Sequence, residues 1–155
     1  MRPFSKRAQV LDCLRFHWLA CYALLFLVGC DSGLPQVIPC EGTVTFEGGP
    51  CPKPGTLYFT PIEPAPGYPM RPATGHFDVD GQFTATTFEP GDGLIPGRYK
   101  VGIECWEVEP NMEGRPAVSH VPATYQNPET SGFEVNVTPE GGQQEFKFDV
   151  PRLSK

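Results

Sequence analysis

Ala73-Thr74-Gly75-His76-Phe77-Asp78-Val79-Asp80-Gly81-Gln82-Phe83-Thr84-Ala85-Thr86 reads as two strands and the turn between them. Ala73, Gly75 and Phe77 share one face of the incoming strand, and Phe83, Ala85 and Thr87 share one face of the outgoing strand. Successive strand side chains point to opposite sides, so each strand buries one face. A two-residue loop, Asp80-Gly81, would put Phe77 and Phe83 on opposite faces. A three-residue loop, Val79-Asp80-Gly81, pairs Asp78 with Gln82 and Phe77 with Phe83, and puts glycine at the left-handed position that closes a bulge. The three-residue form is expected. The same letters spell Asp-x-Asp-Gly, but the rest of a calcium-binding loop and its terminal glutamate are missing. The turn accounts for them.

The same alternation recurs on both sides of this hairpin. Towards the N-terminus, five prolines fall between Pro61 and Pro72. Proline cannot donate to a sheet ladder, so this stretch is expected to be an extended surface loop. Before it, Thr56 to Thr60 reads as a strand with Leu57 and Phe59 opposed to Tyr58. Cys40, Gly42, Val44 and Phe46 alternate with Glu41, Thr43, Thr45 and Glu47, and Gly48-Gly49-Pro50 is the expected turn after them. Towards the C-terminus, Tyr99, Val101, Ile103 and Cys105 alternate with Lys100, Gly102 and Glu104. Glu107 to Pro122 is acidic, interrupted by proline and without period, so it reads as loop. Phe133, Val135 and Val137 form one late strand, and Phe146, Phe148 and Val150 the last, stopped by Pro151. Seven short strands with turns between them and no helix after residue 29 predict an all-β, seven-stranded β-sandwich.

The N-terminus carries a different signal. Arg2, Lys6, Arg7 and Arg15 precede an apolar run from Phe16 to Val28. As a helix the run spans about 20 Å, short of the roughly 30 Å of bilayer hydrocarbon. Charged, then apolar, then small residues is the layout of a secretory signal. The tetrad Leu27-Val28-Gly29-Cys30 resembles the lipobox of bacterial lipoproteins. That resemblance implies cleavage between Gly29 and Cys30, a diacylglycerol thioether on the Cys30 sulfur and removal of residues 1–29. Two or three acyl chains there would hold the protein stably on a membrane. Residues 30–36 would then be the lipidated cysteine and a short tether, 37–150 the β domain and 151–155 a tail.

Composition bounds the rest. The whole chain has 12 basic and 18 acidic residues; without residues 1–29, eight basic and seventeen acidic residues leave a formal charge of −9. Such a surface repels phosphate backbones, which excludes nucleic acid as a partner. Cys40, Cys51 and Cys105 remain as thiols. Either one pair of them is bridged, with the pair undetermined, or all three are small buried hydrophobes. No C-x-x-C spacing points to a redox motif or structural zinc, and no metal or cofactor is expected.

Motif order adds a family likeness. Gly42-Thr43-Val44-Thr45-Phe46, the Gly-Gly-Pro turn, Leu57-Tyr58-Phe59-Thr60-Pro61, Asp80-Gly81-Gln82-Phe83, Pro96-Gly97-Arg98-Tyr99-Lys100-Val101 and Pro122-Ala123-Thr124-Tyr125 follow one another, and Asn127-Pro128-Glu129-Thr130-Ser131-Gly132 comes last. With the lipobox, this resembles small bacterial lipoproteins carrying a carboxypeptidase-regulatory-like, transthyretin-like domain. The resemblance implies a Greek-key sandwich of immunoglobulin-like architecture with no activity of its own. Cys40 and Cys51 stand where that family usually has aliphatic residues.

Two histidines follow the signal, His76 on the polar face of its strand and His120 in a loop. Neither has a second histidine at metal-ligand spacing, and G-x-S-x-G and H-E-x-x-H are both absent. No catalytic residue is assigned. Glu104, Glu107 and Glu109 read as a solvated face. The expected role is a non-catalytic binding or structural module of the cell envelope, extracytoplasmic and held to the membrane by Cys30. Its partner would be an envelope protein or a glycan, with Tyr68, Trp106 and Tyr125 as candidate contact aromatics. The competing expectation is a small extracytoplasmic hydrolase with an unrecognised site, which loss of activity on replacing His76 and His120 together would reveal.

Overall fold

A computed structural model describes residues 33–153. The chain divides into two units, Met1–Leu34 and Pro35–Lys155. The signal segment, Gly29 and Cys30 lie outside the described residues. Among those described, no helix is long and apolar enough to cross a membrane.

The second unit contains β1 (Cys40–Phe46), β2 (Gly55–Pro64), β3 (Ala73–Phe77), β4 (Gln82–Thr86), β5 (Gly97–Glu104), β6 (Trp106–Val108), β7 (Val118–Ser119), the single helical turn α1 (Ala123–Gln126), β8 (Glu134–Val137) and β9 (Gln144–Val150). Seven strands form one sheet in the order β8-β5-β2-β3-β4-β1-β9, and β6 and β7 form a separate pair. Neighbours in the large sheet run antiparallel except β1 and β9, which are parallel from Cys40 opposite Gln144 to Phe46 opposite Val150.

The β3–β4 hairpin has the expected register, with Phe77 opposite Phe83. Asp78 N donates to Gln82 O at 3.3 Å and Gly81 N to Asp78 O at 3.0 Å. Gly81 has φ +79°, where a Cβ would be strained and would also meet Val44 O at 2.0 Å. The Asp78 carboxylate accepts from the backbone N–H of Asp80 and of Gln82, both at 3.0 Å. Both acids of the Asp-x-Asp-Gly run therefore belong to the turn.

Three expectations change. Pro61 and Pro64 lie within β2, which runs on to Pro64 paired with β5 through a bulge between Pro61 and Glu63. Pairing of β2 with β3 stops at Phe59 opposite Ala73. Beyond that point β2 has one free edge, where a missing N–H leaves no ladder bond unmade. The 107–122 stretch is not all loop: Trp106 opposes Ser119 and Val108 opposes Val118. The turn after β1 is Glu47-Gly48, one residue earlier than expected. Both have positive φ, 53° and 72°, and Phe46 and Gly49 exchange two backbone hydrogen bonds at 3.0 Å around them.

The sheet curls around one apolar core. Val44, Leu57, Phe59, Val101, Ile103, Val137 and Val150 are buried on the inner side. Phe59 and Phe83 lie 6.2 Å apart and Phe83 and Phe148 5.9 Å apart, ring centre to ring centre. Phe133, just before edge strand β8, reaches 5.3 Å from Phe148 on the opposite edge strand β9. The two edges thus approach across the core and the sheet is nearly closed, without a β8–β9 ladder. The Tyr99 hydroxyl, inside this core, donates to Ile95 O at 2.7 Å. No buried side-chain nitrogen or oxygen among the described residues lacks a hydrogen-bond partner.

Candidate functional site

Where the inner face is apolar, the outer face of β2, β3, β4 and β5 carries threonine hydroxyls, the His76 imidazole, the Glu104 carboxylate and the Tyr58 ring, with Gln82, Arg98 and Lys100 further along it. Register creates it. Thr56 sits between His76 on β3 and Glu104 on β5, and Tyr58 sits between Thr74 and Gly102. Thr84 and Thr86 continue these rows onto β4, opposite His76 and Thr74.

Glu104 fixes the aromatic part. One of its oxygens accepts from the Tyr58 hydroxyl at 3.2 Å and from Trp106 Nε1 at 3.1 Å. Tyr58 is 38% exposed even so. Burial pushes its phenol above the ordinary value, and the charge and hydrogen bond of Glu104 add to the rise, so the hydroxyl stays a donor at neutral pH. Glu104 is half-buried and holds two rings in place rather than simply lining a solvated face.

Gly102 shapes the flank. A Cβ there would meet Gln126 O at 2.5 Å and the Pro128 ring at 2.8 Å. Glycine therefore lets the chain after α1 lie flat on β5 beside Tyr58. That segment is held by Gln126, whose side-chain amide donates to Val121 O at 2.6 Å and to Ser119 Oγ at 3.0 Å. On the other side of Tyr58 a cleft of about 310 Å³ opens over the β2–β3–β4 surface, bounded by Thr60, Pro72, Thr74 and Thr86. Next to Pro72 in the chain, the Arg71 guanidinium stacks 4.4 Å over the Phe88 ring.

The aromatics expected to meet a partner are not brought together. Trp106 joins Glu104. Tyr125 packs 5.5 Å from Phe133 and closes one end of the core. The Tyr68 hydroxyl donates to Gln36 Oε1 at 3.2 Å. The histidines have different partners. His76 Nδ1 is 3.2 Å from Thr56 Oγ1, with no carboxylate behind the ring among the described residues. His120 Nε2 is 3.2 Å from Glu107, which Lys53 also reaches at 3.0 Å. Hydrogen bonds from Lys53, then His120, hold the Glu107 carboxyl below its usual value. A nucleophile needs a base that is itself oriented by a third group, and neither histidine has that full set.

Cys40, Cys51 and Cys105 are free and buried. Their thiols donate to the carbonyls of Ile38, Val44 and Lys53 respectively. Burial pushes Cys40 and Cys51 up to about 11 and raises Cys105 as well, which disfavours a reactive thiolate. Among the described residues no three His, Cys, Asp or Glu side chains converge as metal ligands would.

Comparison with family models, with curated proteins and with solved structures finds no match to this chain. The site is therefore read from its own geometry. Tyr58 and Glu104 were hidden in sequence because each sits on the polar side of a regular strand, where alternation marks exposure and nothing more. The signal that could have found them is the pairing of β2 with β5.

Proposed function

We propose that this protein is an extracytoplasmic lipoprotein whose β domain is a non-catalytic binding or structural module of the cell envelope. The Leu27-Val28-Gly29-Cys30 tetrad after a basic and apolar leader carries the address. The compact unit begins at Pro35, only five positions after Cys30, so an acylated Cys30 would keep the domain near the bilayer. An acidic domain surface leaves the lipid as the attachment.

The fold reading is a Greek-key sandwich of the transthyretin-like, carboxypeptidase-regulatory-like kind. The strand run β2-β3-β4 with β5 returning by a long connection to lie beside β2 supports it. The binding reading rests on one observation: Tyr58, exposed and locked by Glu104, borders a cleft on a sheet face that the core does not need.

Mass spectrometry of the chain recovered from its native membrane tests the address. A new N-terminus at Cys30 carrying acyl chains is expected. An intact residue 1, or an unmodified Cys30, rules it out. The hydrolase alternative draws on the Thr56–His76 pair. Any hydrolytic activity that vanishes when His76 and His120 are replaced together would favour it.

A further inference from the structure

We propose that the cleft beside Tyr58 binds a neutral glycan; this rests on reading the chain as a non-catalytic binding module and names its ligand class. Three features of the cleft point the same way. First, its side wall is the Tyr58 ring, which stays part-exposed while its hydroxyl is held by Glu104. A sugar ring presents an apolar C–H face that packs on such a surface, and a ring already locked in place loses little entropy on binding.

Second, the surrounding groups are hydroxyls. Thr60 and Thr74 make no side-chain hydrogen bond among the described residues, and both line the cleft. Thr86 Oγ1 accepts from Gly91 N at 2.9 Å and keeps its proton for donation. Each hydroxyl donates one hydrogen bond and accepts others, which matches the alternating donors and acceptors of a sugar.

Third, no charged side chain lines the cleft. Of the cations nearby, Arg71, next to Pro72 in the chain, is stacked on the Phe88 ring, and Lys100, opposite Thr60, is paired with Glu129. An uncharged cleft disfavours phosphate and basic peptide and suits a neutral polyol. Its volume of about 310 Å³ lies at the small end of ligand sites, which run from about 300 Å³, so it seats a short stretch of a chain.

The test uses the full chain in a zwitterionic detergent that carries no sugar. It is titrated with cellohexaose, maltohexaose and chitohexaose, and with a proline-rich peptide as the competing class. At least one glycan is expected to bind in the millimolar range or tighter, read by titration calorimetry. Tyr58→Ala should weaken that glycan about tenfold, equivalent to about 1.4 kcal/mol. Tyr58→Phe should stay within about threefold, because the stacking face survives. Thr74→Val serves as a second variant that leaves the ring in place, and is expected to weaken binding about threefold. Near-UV circular dichroism checks the fold of each variant.

Failure of all three glycans to bind overturns the proposal. So does binding that both Tyr58→Ala and Thr74→Val leave unchanged, or binding of the peptide alone. The parent reading fails separately, through an unlipidated Cys30 or through cleavage of the bound glycan, both read by mass spectrometry.

Discussion

Leu57 and Phe59 point to one side of β2 and Tyr58 to the other, and the two sides are held by different physics. Inside, Phe59 is fully buried, packing 6.2 Å from Phe83 and edge-on to Tyr99 at 6.5 Å. Its position is set by close packing, which tolerates little change. Outside, Tyr58 is set by one hydrogen bond to Glu104. The inner face makes the sheet stable. The outer face is free of that duty, which is why a binding surface can be built there without loss of the fold.

The contrast makes its largest claim at Phe59. Phe59→Ala should cost about 3–5 kcal/mol in urea unfolding, since it removes a buried ring and leaves a cavity. Tyr58→Ala should cost about 1 kcal/mol or less, as cross-strand pairs on an exposed face do. Comparable losses from the two would erase the distinction between the faces.

Gly102→Ala probes where the faces meet. Its Cβ would press on Gln126 O and Pro128, so a loss of about 1–3 kcal/mol is expected from overpacking. The accompanying chemical-shift changes should concentrate in residues 123–131 and at Tyr58. Changes spread through the inner core instead would mean that the covering segment is not a separate layer.

Asp92 tests whether loop ends carry stability independently of both faces. Burial alone would raise its carboxyl, but backbone N–H groups of Thr87, Glu89 and Phe88 outweigh this and hold it below its usual value. A carboxyl lowered by folding contributes stability above its unfolded pKa, about 3.9, and that contribution is lost as the pH falls through the folded value. Asp92→Ala should therefore cost about 1–2 kcal/mol at pH 7 and progressively less below about pH 4. Equal losses at pH 7 and pH 3, in matched denaturant titrations, would refute the charge-based account.

The smallest effect belongs to the exposed ion pairs. Arg98 reaches Glu63 and Glu134 at 3.0 Å each, on strands either side of it. Water and salt screen such pairs. Arg98→Gln should leave the unfolding midpoint in high salt where it was, and any shift should appear only at low salt.

The hairpin around Gly81 was legible because its information is local. The alternation assigns a face to Phe77 and Phe83, and glycine at the bulge position settles the loop length. The prolines misled for the opposite reason. Whether Pro61 breaks a strand depends on how far β3 extends alongside, and β3 is set by residues more than ten positions away. The short β6–β7 pair was invisible for the same cause: Val108 and Val118 have no period of their own and meet only because the chain returns.

Sequence alone marked the strands of the large sheet, their buried faces and the left-handed glycine of the Gly81 turn, since each depends on residues within a few positions of one another. Tertiary structure alone decided that Tyr58 would lie between Thr74 and Gly102, and that Glu104 would hold both it and Trp106. The physical reason is that periodicity tells a side chain which way to face, but only strand pairing tells it what it will stand beside.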